Sequence, residues 1–292
     1  MNDSYEDSVN RELERLRKLG WRDFPRSVEG IHVAAHVDPQ NISFPKDSYS
    51  SQEGNLEAEG FWAVTRAKKI RKILNLQSVD LMWEVGSGHG SVAILLKNYG
   101  TAVIAIEPLE QGTLTTSSSG IRSYLGTLDM LQFPKNSIRC IGIFDVLEHL
   151  ENPNEVLDEI YRVLQPGGLL VTSVPAHQWL FSDFDQSIGH FRRYSRKDLV
   201  RTLEDSGFLN NMTQFIFSFF VLPAFVLRTV PSKFGRKHTS AETKETIRNQ
   251  QKILKLLQPT LRVLIILENF LRIPLGLSLI SVSKKPSNQK AH

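Results

Sequence analysis

Hydrophobic and polar positions run in blocks along the chain, and the blocks change character twice. Residues 1–55 show little periodicity. Pro25, Pro39 and Pro45 stand among many Ser, Asp and Asn, and only Leu13, Leu16 and Leu19 mark a helix, over 11–19. The segment reads as an appended, partly loop-like N-terminal extension. A helix is expected over 61–74, with Arg66, Lys68, Lys69, Arg71 and Lys72 on its polar side. Short apolar runs then recur at 80–85, 102–106, 122–125, 140–144, 169–174 and 211–216. Helical segments at 91–99, 154–164 and 196–206 separate several of them, with Pro153 opening the second and Gly207 closing the third. Strands alternating with helices predict parallel pairing through right-handed crossovers, hence an α/β, doubly wound sheet. From 217 the pattern shifts again. Residues 217–227 are densely apolar, 253–273 are helix-prone but interrupted at Pro259, and 277–282 are β-prone and taken as a closing strand.

Composition narrows the class. The 292 residues are 41% hydrophobic and 23% charged, which excludes a disordered chain. Mean hydropathy is −0.21, and no run of 18 uncharged apolar residues occurs, so no spanning helix is expected. Residues 1–7 are polar and acidic with no apolar stretch behind them, so a secretory signal is not expected and the chain reads as cytoplasmic. The single cysteine, Cys140, cannot form an internal disulfide, and no Cys/His grouping has zinc spacing. The net charge of +4 hides a split. Residues 1–227 hold 22 Lys+Arg against 28 Asp+Glu, whereas 228–292 hold 13 against 3. The basic end fits a nucleic acid, an anionic membrane surface or a solvated helical face.

The sharpest chemical signal is Glu84-Val85-Gly86-Ser87-Gly88-His89-Gly90, between the first strand of the alternation and its helix. Glycines there let the backbone turn tightly and approach a ligand at the carboxyl end of the strand. The spacing is G-x-G-x-G. A dinucleotide fingerprint would need glycine at position 91, which is Ser91. Nineteen residues beyond Gly88, Glu107 ends the next strand, where an acid accepts hydrogen bonds from ribose hydroxyls. Glu84 suits an ammonium-bearing ligand better than a pyrophosphate, which a negative charge repels.

These residues resemble the class I S-adenosylmethionine-dependent methyltransferases, and in particular a bacterial subgroup near the quinone-biosynthesis type that shares a D/E-x-L-E-H element. The resemblance runs from about Phe61 to Lys284. It implies a Rossmann-like, seven-stranded sheet, mostly parallel with an antiparallel last strand, and S-adenosylmethionine as cofactor. It also implies a methyltransferase domain at 56–285, with a helical insertion at 217–274 before that last strand and a tail at 286–292. Glu84, Gly86, Ser87, Gly88 and Gly90 match the family's cofactor loop, and Glu107 its ribose acid. Gly126-Thr127-Leu128 stands where relatives carry Gly-Asp-Ala. Adenine contact is therefore expected from the Thr127 hydroxyl and the Leu128 amide, with Asp129 facing solvent.

The D/E-x-L-E-H match is Phe144-Asp145-Val146-Leu147-Glu148-His149-Leu150, at the boundary between cofactor and acceptor. Asp145, Glu148 and His149 have i, i+3, i+4 spacing, so one helical turn would gather them. The group fits a general base, a divalent cation or a structural brace. It lacks the D/N-P-P-Y/F sequence of DNA amino-methyltransferases, which argues against nucleic acid as acceptor. After the fifth strand, Asp183, Asp185, His190, Arg192, Arg193 and Tyr194 lie in a loop where an open α/β sheet carries its chemistry. His190 is a second base candidate, and Arg192 or Arg193 can hold an anionic group. A salt-bridged lid explains the same residues. Trp62 and Arg66 match an element that covers the cofactor in the subgroup, and a plain amphipathic helix explains them as well.

In the insertion, aromatic and aliphatic residues interleave with Arg228, Lys233, Arg236, Lys237, Lys255, Arg262 and Arg272. That pattern fits a helix lying in a membrane interface or a cap buried on the sheet. The leading expectation is methyl transfer, by O-methylation, to a small-molecule, lipid-linked or glycan acceptor, peripheral on the inner membrane face where the acceptor is lipid-borne. An inactive cofactor-binding module is the alternative, opposed by the intact Glu84, Gly86, Gly88 and Glu107. An NAD(P)-dependent oxidoreductase is opposed by Ser91 and Glu84.

Overall fold

A computed structural model describes residues 2–27, 30–34, 60–235, 257–271 and 273–287. Eight strands form one sheet: β1 (His32–Val33), β2 (Leu81–Val85), β3 (Ala102–Glu107), β4 (Arg122–Leu125), β5 (Ile138–Phe144), β6 (Leu164–Pro175), β7 (Leu209–Ile216) and β8 (Ser278–Lys284). Their spatial order is β1-β4-β3-β2-β5-β6-β8-β7. The strands are parallel except β8, which runs antiparallel to both β6 and β7. Seven of the eight lie where the hydrophobic blocks predict them. The eighth, β1, has only two residues and pairs with Tyr124 and Leu125, a contact no local pattern signals.

Strand alternation sends side chains to two cores. Trp83, Val85, Ile104, Ile106, Leu170 and Val174 face one side, and Met82, Val103, Ala105, Leu169 and Val171 the other. Helices α1 (Asn2–Lys18), α5 (Pro153–Val163) and α7 (Arg196–Asp205) cover the first face. The second is covered by α2 (Gly60–Leu76), α3 (Ser91–Asn98) and, through Leu261, α10 (Gln258–Leu271). Three further short helices, α6 (Asp183–Ser187), α8 (Val221–Ala224) and α9 (Val230–Lys233), lie near the carboxyl ends of the strands. A π-helical turn at Phe225–Thr229 joins α8 to α9. Pro259 lies at the second position of α10, where its missing N–H costs nothing.

Two local readings need correction. Helix α1 begins nine residues before the expected start, because Tyr5 and Val9 extend the stripe of Leu13 and Leu16 under a polar surface. Residues 2–21 are therefore packed onto the core: Tyr5 Oη donates to the Val103 carbonyl at 2.9 Å and Trp21 Nε1 to the Leu131 carbonyl at 2.8 Å, while the expected loop-like stretch at 35–55 lies outside the described residues. The second is α4 (Glu110–Ser118), unexpected because its sequence is Thr/Ser-rich and lacks an apolar stripe. Its buried Thr113 and Thr116 hydroxyls bond back to the carbonyls of Leu109 and Gly112, so polar side chains fill a core position.

Candidate active site

The glycine loop joins β2 to α3 in left-handed backbone, with φ of 72° at Gly86, 56° at Gly88 and 75° at Gly90. Side chains are excluded twice over. A Cβ at Gly86 would meet Val146 at 2.6 Å, and one at Gly90 would meet Thr116 Oγ1 at 2.6 Å. Glu107, at the end of β3, accepts from the Gly88 amide at 2.8 Å and the Leu109 amide at 3.0 Å. Each oxygen keeps a further lone pair for hydroxyl donors.

Beneath the loop, Glu84 is buried and its Oε2 has no hydrogen-bond partner among the described residues. Burial pushes its carboxyl up to about 8, with Arg66 opposing and Glu107 reinforcing. The Ser87 hydroxyl is likewise buried and unpartnered. A buried carboxyl oxygen and a buried hydroxyl without hydrogen-bond partners among the described residues, beside a glycine-rich loop, fit the amino-acid end and sugar of S-adenosylmethionine. Past β4, Thr127 donates to Asp129 Oδ1 at 2.5 Å, leaving its oxygen able to accept, while Leu128 is buried and Asp129 exposed.

The expected helical turn through Asp145, Glu148 and His149 does not form as drawn. Asp145 has φ of 53° and only Leu147–His149 makes a 3₁₀ turn, so the aspartate lies outside that turn, although its charge still reaches Glu148 and His149. Its carboxylate accepts from Ser173 Oγ at 2.9 Å and pairs with Arg66 of α2. In Asp145's place the fold brings His190. Ligand atoms of Glu148, His149 and His190 all lie within 4.8 Å of one another, and the two imidazoles meet edge to face with centroids 4.6 Å apart. Glu148 is fully buried with neither oxygen partnered among the described residues. Burial first, then Asp145, drives its carboxyl well above the ordinary range, which favours its protonated form. Burial and His190 lower the His149 imidazole to about 4.

His190 is held from behind. Its Nδ1 lies 3.0 Å from Asp185 Oδ1, and its Nε2 points toward Glu148 Oε1 at 3.9 Å. The acid partner fixes hydrogen on Nδ1 and leaves the Nε2 lone pair toward the cluster. Asp185 is itself anchored by Arg193 Nε at 2.8 Å and by the amide and hydroxyl of Ser182 at 3.0 and 3.1 Å. The lid reading thus holds for Asp185 with Arg193. Tyr194 is buried and donates to the Leu147 carbonyl at 3.3 Å.

Two expected acceptor residues point elsewhere. Arg192 donates to the Glu151 carbonyl at 2.7 Å, outside the cluster. Trp62 packs on Phe217 and Phe220, with centroids 4.4 and 4.7 Å away, and so fastens the insertion to α2. Arg66 faces Asp145 and Glu84, on the cofactor side. Sequence reasoning missed Ser173, which orients Asp145, and Arg228, which lies over the Phe184 ring at 4.0 Å beside the Asp185–Arg193 pair. No local signal marks either, since their partners are dozens of residues away. A separate cavity of about 430 Å³, lined by Arg11, Arg15, Arg139 and Lys284, opens at the amino ends of the strands and contains none of the residues of this cluster.

Residues 67–211 match a family model described as a methyltransferase domain. A protein of Mycolicibacterium smegmatis named as an S-adenosylmethionine-dependent methyltransferase is 29% identical over 157 residues, 52% of this chain and 61% of the relative. A similarly named Mycobacterium tuberculosis protein is 26% identical over 165 residues, 53% of this chain and 58% of its own length. The matches thus span about three fifths of these relatives. A crystal structure from Galdieria sulphuraria, described as a sarcosine dimethylglycine methyltransferase, superimposes with a TM-score of 0.52 at 14% identity, covering 76% of this chain and 86% of that one, which supports the fold. With the strand order, the glycine loop and these relatives in agreement, residues 67–211 are a methyltransferase domain of the S-adenosylmethionine-dependent kind.

Proposed function

We propose that the chain transfers a methyl group from S-adenosylmethionine to an oxygen of a small-molecule, glycan or lipid-linked acceptor. The observation that carries the reading is His190, oriented by Asp185 and aimed at buried Glu148 beside the glycine loop. When bound, the cofactor supplies a methyl group already activated by cationic sulfur, so the protein needs no nucleophile. Gly86, Ser87, Gly88 and Gly90 would cradle it, with Glu84 toward its amino group, Glu107 toward its ribose hydroxyls, and Thr127 and Leu128 toward its adenine. Asp145, steadied by Ser173 and Arg66, closes the boundary toward the acceptor.

The remaining task is alignment and proton removal. His190 Nε2 takes the acceptor's proton, and the Asp185 carboxylate stabilises the imidazolium that results. Glu148, whose burial favours the protonated form, can donate a hydrogen bond to the acceptor oxygen without repelling it. His149, depressed to about 4, stays neutral near pH 7. Arg193 serves the acceptor indirectly, by anchoring Asp185. Incubating cell extract with methyl-labelled cofactor and separating lipid from aqueous products tests the reading. Label should enter an acceptor as an ether or ester, and tighter binding of NAD than of S-adenosylmethionine would overturn it.

A second reading rests on the two unpartnered Glu148 oxygens: Glu148, His149 and His190 together hold a divalent cation that binds the acceptor oxygen. Methyl transfer that survives a chelator excludes this version and keeps His190 as base.

A further inference from the structure

The insertion fastens one face to the domain and leaves the other bare. Along Val221–Ala224, the π-helical turn and Val230–Lys233, the inner residues make specific contacts with the 178–187 loop. Thr229 Oγ1 donates to the Leu180 carbonyl at 3.1 Å, Ser232 Oγ accepts from the Asp183 amide at 3.0 Å, and Phe225 meets Trp179 with centroids 5.7 Å apart. Outward, at four-residue intervals, come Leu222, Val226, half-buried Val230 and Phe234, with Leu227 beside them. Phe234 is 88% exposed and Leu222 69% exposed. Helix α10 repeats the arrangement: Leu261 and Glu268 are buried, Glu268 pairing with Lys69 and with the Ser218 amide, while Val263, Ile266, Leu267 and Leu271 face out. Apolar side chains this exposed in a ridge mark a docking surface.

Charge selects the occupant. Lys233 is exposed beside Phe234, Arg236 and Lys237 follow directly in sequence, and residues 228–292 hold 13 Lys+Arg against 3 Asp+Glu. The rest of the chain is net acidic, with 22 against 28. An apolar ridge edged by cations is complementary to a bilayer whose apolar interior lies under anionic headgroups. No helix among the described residues is long and apolar enough to cross a membrane, so the ridge would lie in the interface.

We propose that Leu222, Val226, Leu227 and Phe234, flanked by Lys233, dock the protein on an anionic lipid bilayer. The same helical segment holds the loop that carries Asp185, so docking keeps the acceptor side of the site at the membrane surface. That second statement rests on the methyl-transfer reading and makes the acceptor lipid-borne; the docking itself does not depend on it.

Co-sedimentation of the full chain with vesicles of phosphatidylcholine alone, or mixed with phosphatidylglycerol, tests the docking. The protein should pellet with the mixed vesicles at low salt and be released at high salt. Leu227→Asp with Phe234→Asp should weaken recovery roughly tenfold or more, since both side chains lose an apolar environment. Lys233→Gln should weaken it about fivefold, one charge's contribution near such a surface. Equal recovery with neutral vesicles, recovery with neither, or unchanged recovery of the double variant overturns the proposal. So does self-association that the double variant abolishes, which would make a second copy the occupant. Binding of S-adenosylhomocysteine, measured by calorimetry on the same samples, separates the two ideas. The double variant should retain it, and its absence in the unsubstituted chain would overturn methyl transfer while leaving the vesicle result standing.

Discussion

The two halves of the site are built from different material. On the cofactor side, backbone does most of the work: a glycine-rich loop, amides that fix Glu107, and one buried carboxyl beneath them. All of it comes from residues 84–109, the ends of two successive strands and the segment that joins them. On the acceptor side, side chains from residues 145–149, 173, 185, 190, 193 and 228 converge, and several are held by another: Asp145 by Ser173, His190 by Asp185, Asp185 by Arg193. Backbone geometry suits a ligand that stays constant across a family. Interlocked side chains on loops suit an acceptor that varies, because each can change without disturbing the sheet.

The sharpest way to break this comparison is to remove the acceptor side's base. His190→Ala should lower the single-turnover rate by about 10²–10⁴-fold while cofactor affinity stays unchanged. An unaltered rate would take general-base catalysis out of the account. The mirror experiment is Glu107→Ala, which should weaken S-adenosylhomocysteine binding by about 1.5–3 kcal/mol, the scale of a charge-assisted hydrogen bond. If the rate of the saturated variant also falls steeply, the halves are coupled more tightly than their construction implies.

A smaller effect comes from pH. The buried Glu84 carboxyl, raised to about 8, must lose its proton to face a cationic amino group. Cofactor affinity should therefore rise with pH toward about 8, by at most about tenfold per unit, with a proton released on binding. In the unliganded chain the sign is opposite. The raised value contributes stability that is full below the carboxyl's ordinary 4.5 and is lost as pH rises through about 8. Glu84→Gln should flatten both profiles, which calorimetry and thermal melts across that window would measure. Smallest is Tyr194→Phe, which removes one hydrogen bond to Leu147 and should cost about 1 kcal/mol in denaturant unfolding.

Legibility follows the same division. The strands β2 to β8 are hydrophobic blocks whose length and spacing are local properties, and the glycine loop needs only its own residues to turn. Helix α4 escaped because buried threonines satisfy their hydroxyls on the previous turn, so polarity in the sequence does not mean exposure in the fold. Helix α1 was only half visible, since Tyr5 and Val9 gain meaning from the sheet they cover.

The acceptor side was named residue by residue and still misassembled. Spacing put Asp145 with Glu148 and His149 on one turn, but a left-handed residue at 145 breaks that turn, and His190 takes its place from 41 residues beyond His149. Arg192 and Arg193 are neighbours of one chemical type, yet one bonds a carbonyl outside the cluster and the other anchors Asp185. By itself the sequence determined the sheet, the cofactor loop and the charge split, because periodicity, turn chemistry and composition act over a few residues. Which side chains share a proton, and which apolar residues of the insertion stay bare, was decided by tertiary packing, because burial and desolvation depend on every element that closes around a group.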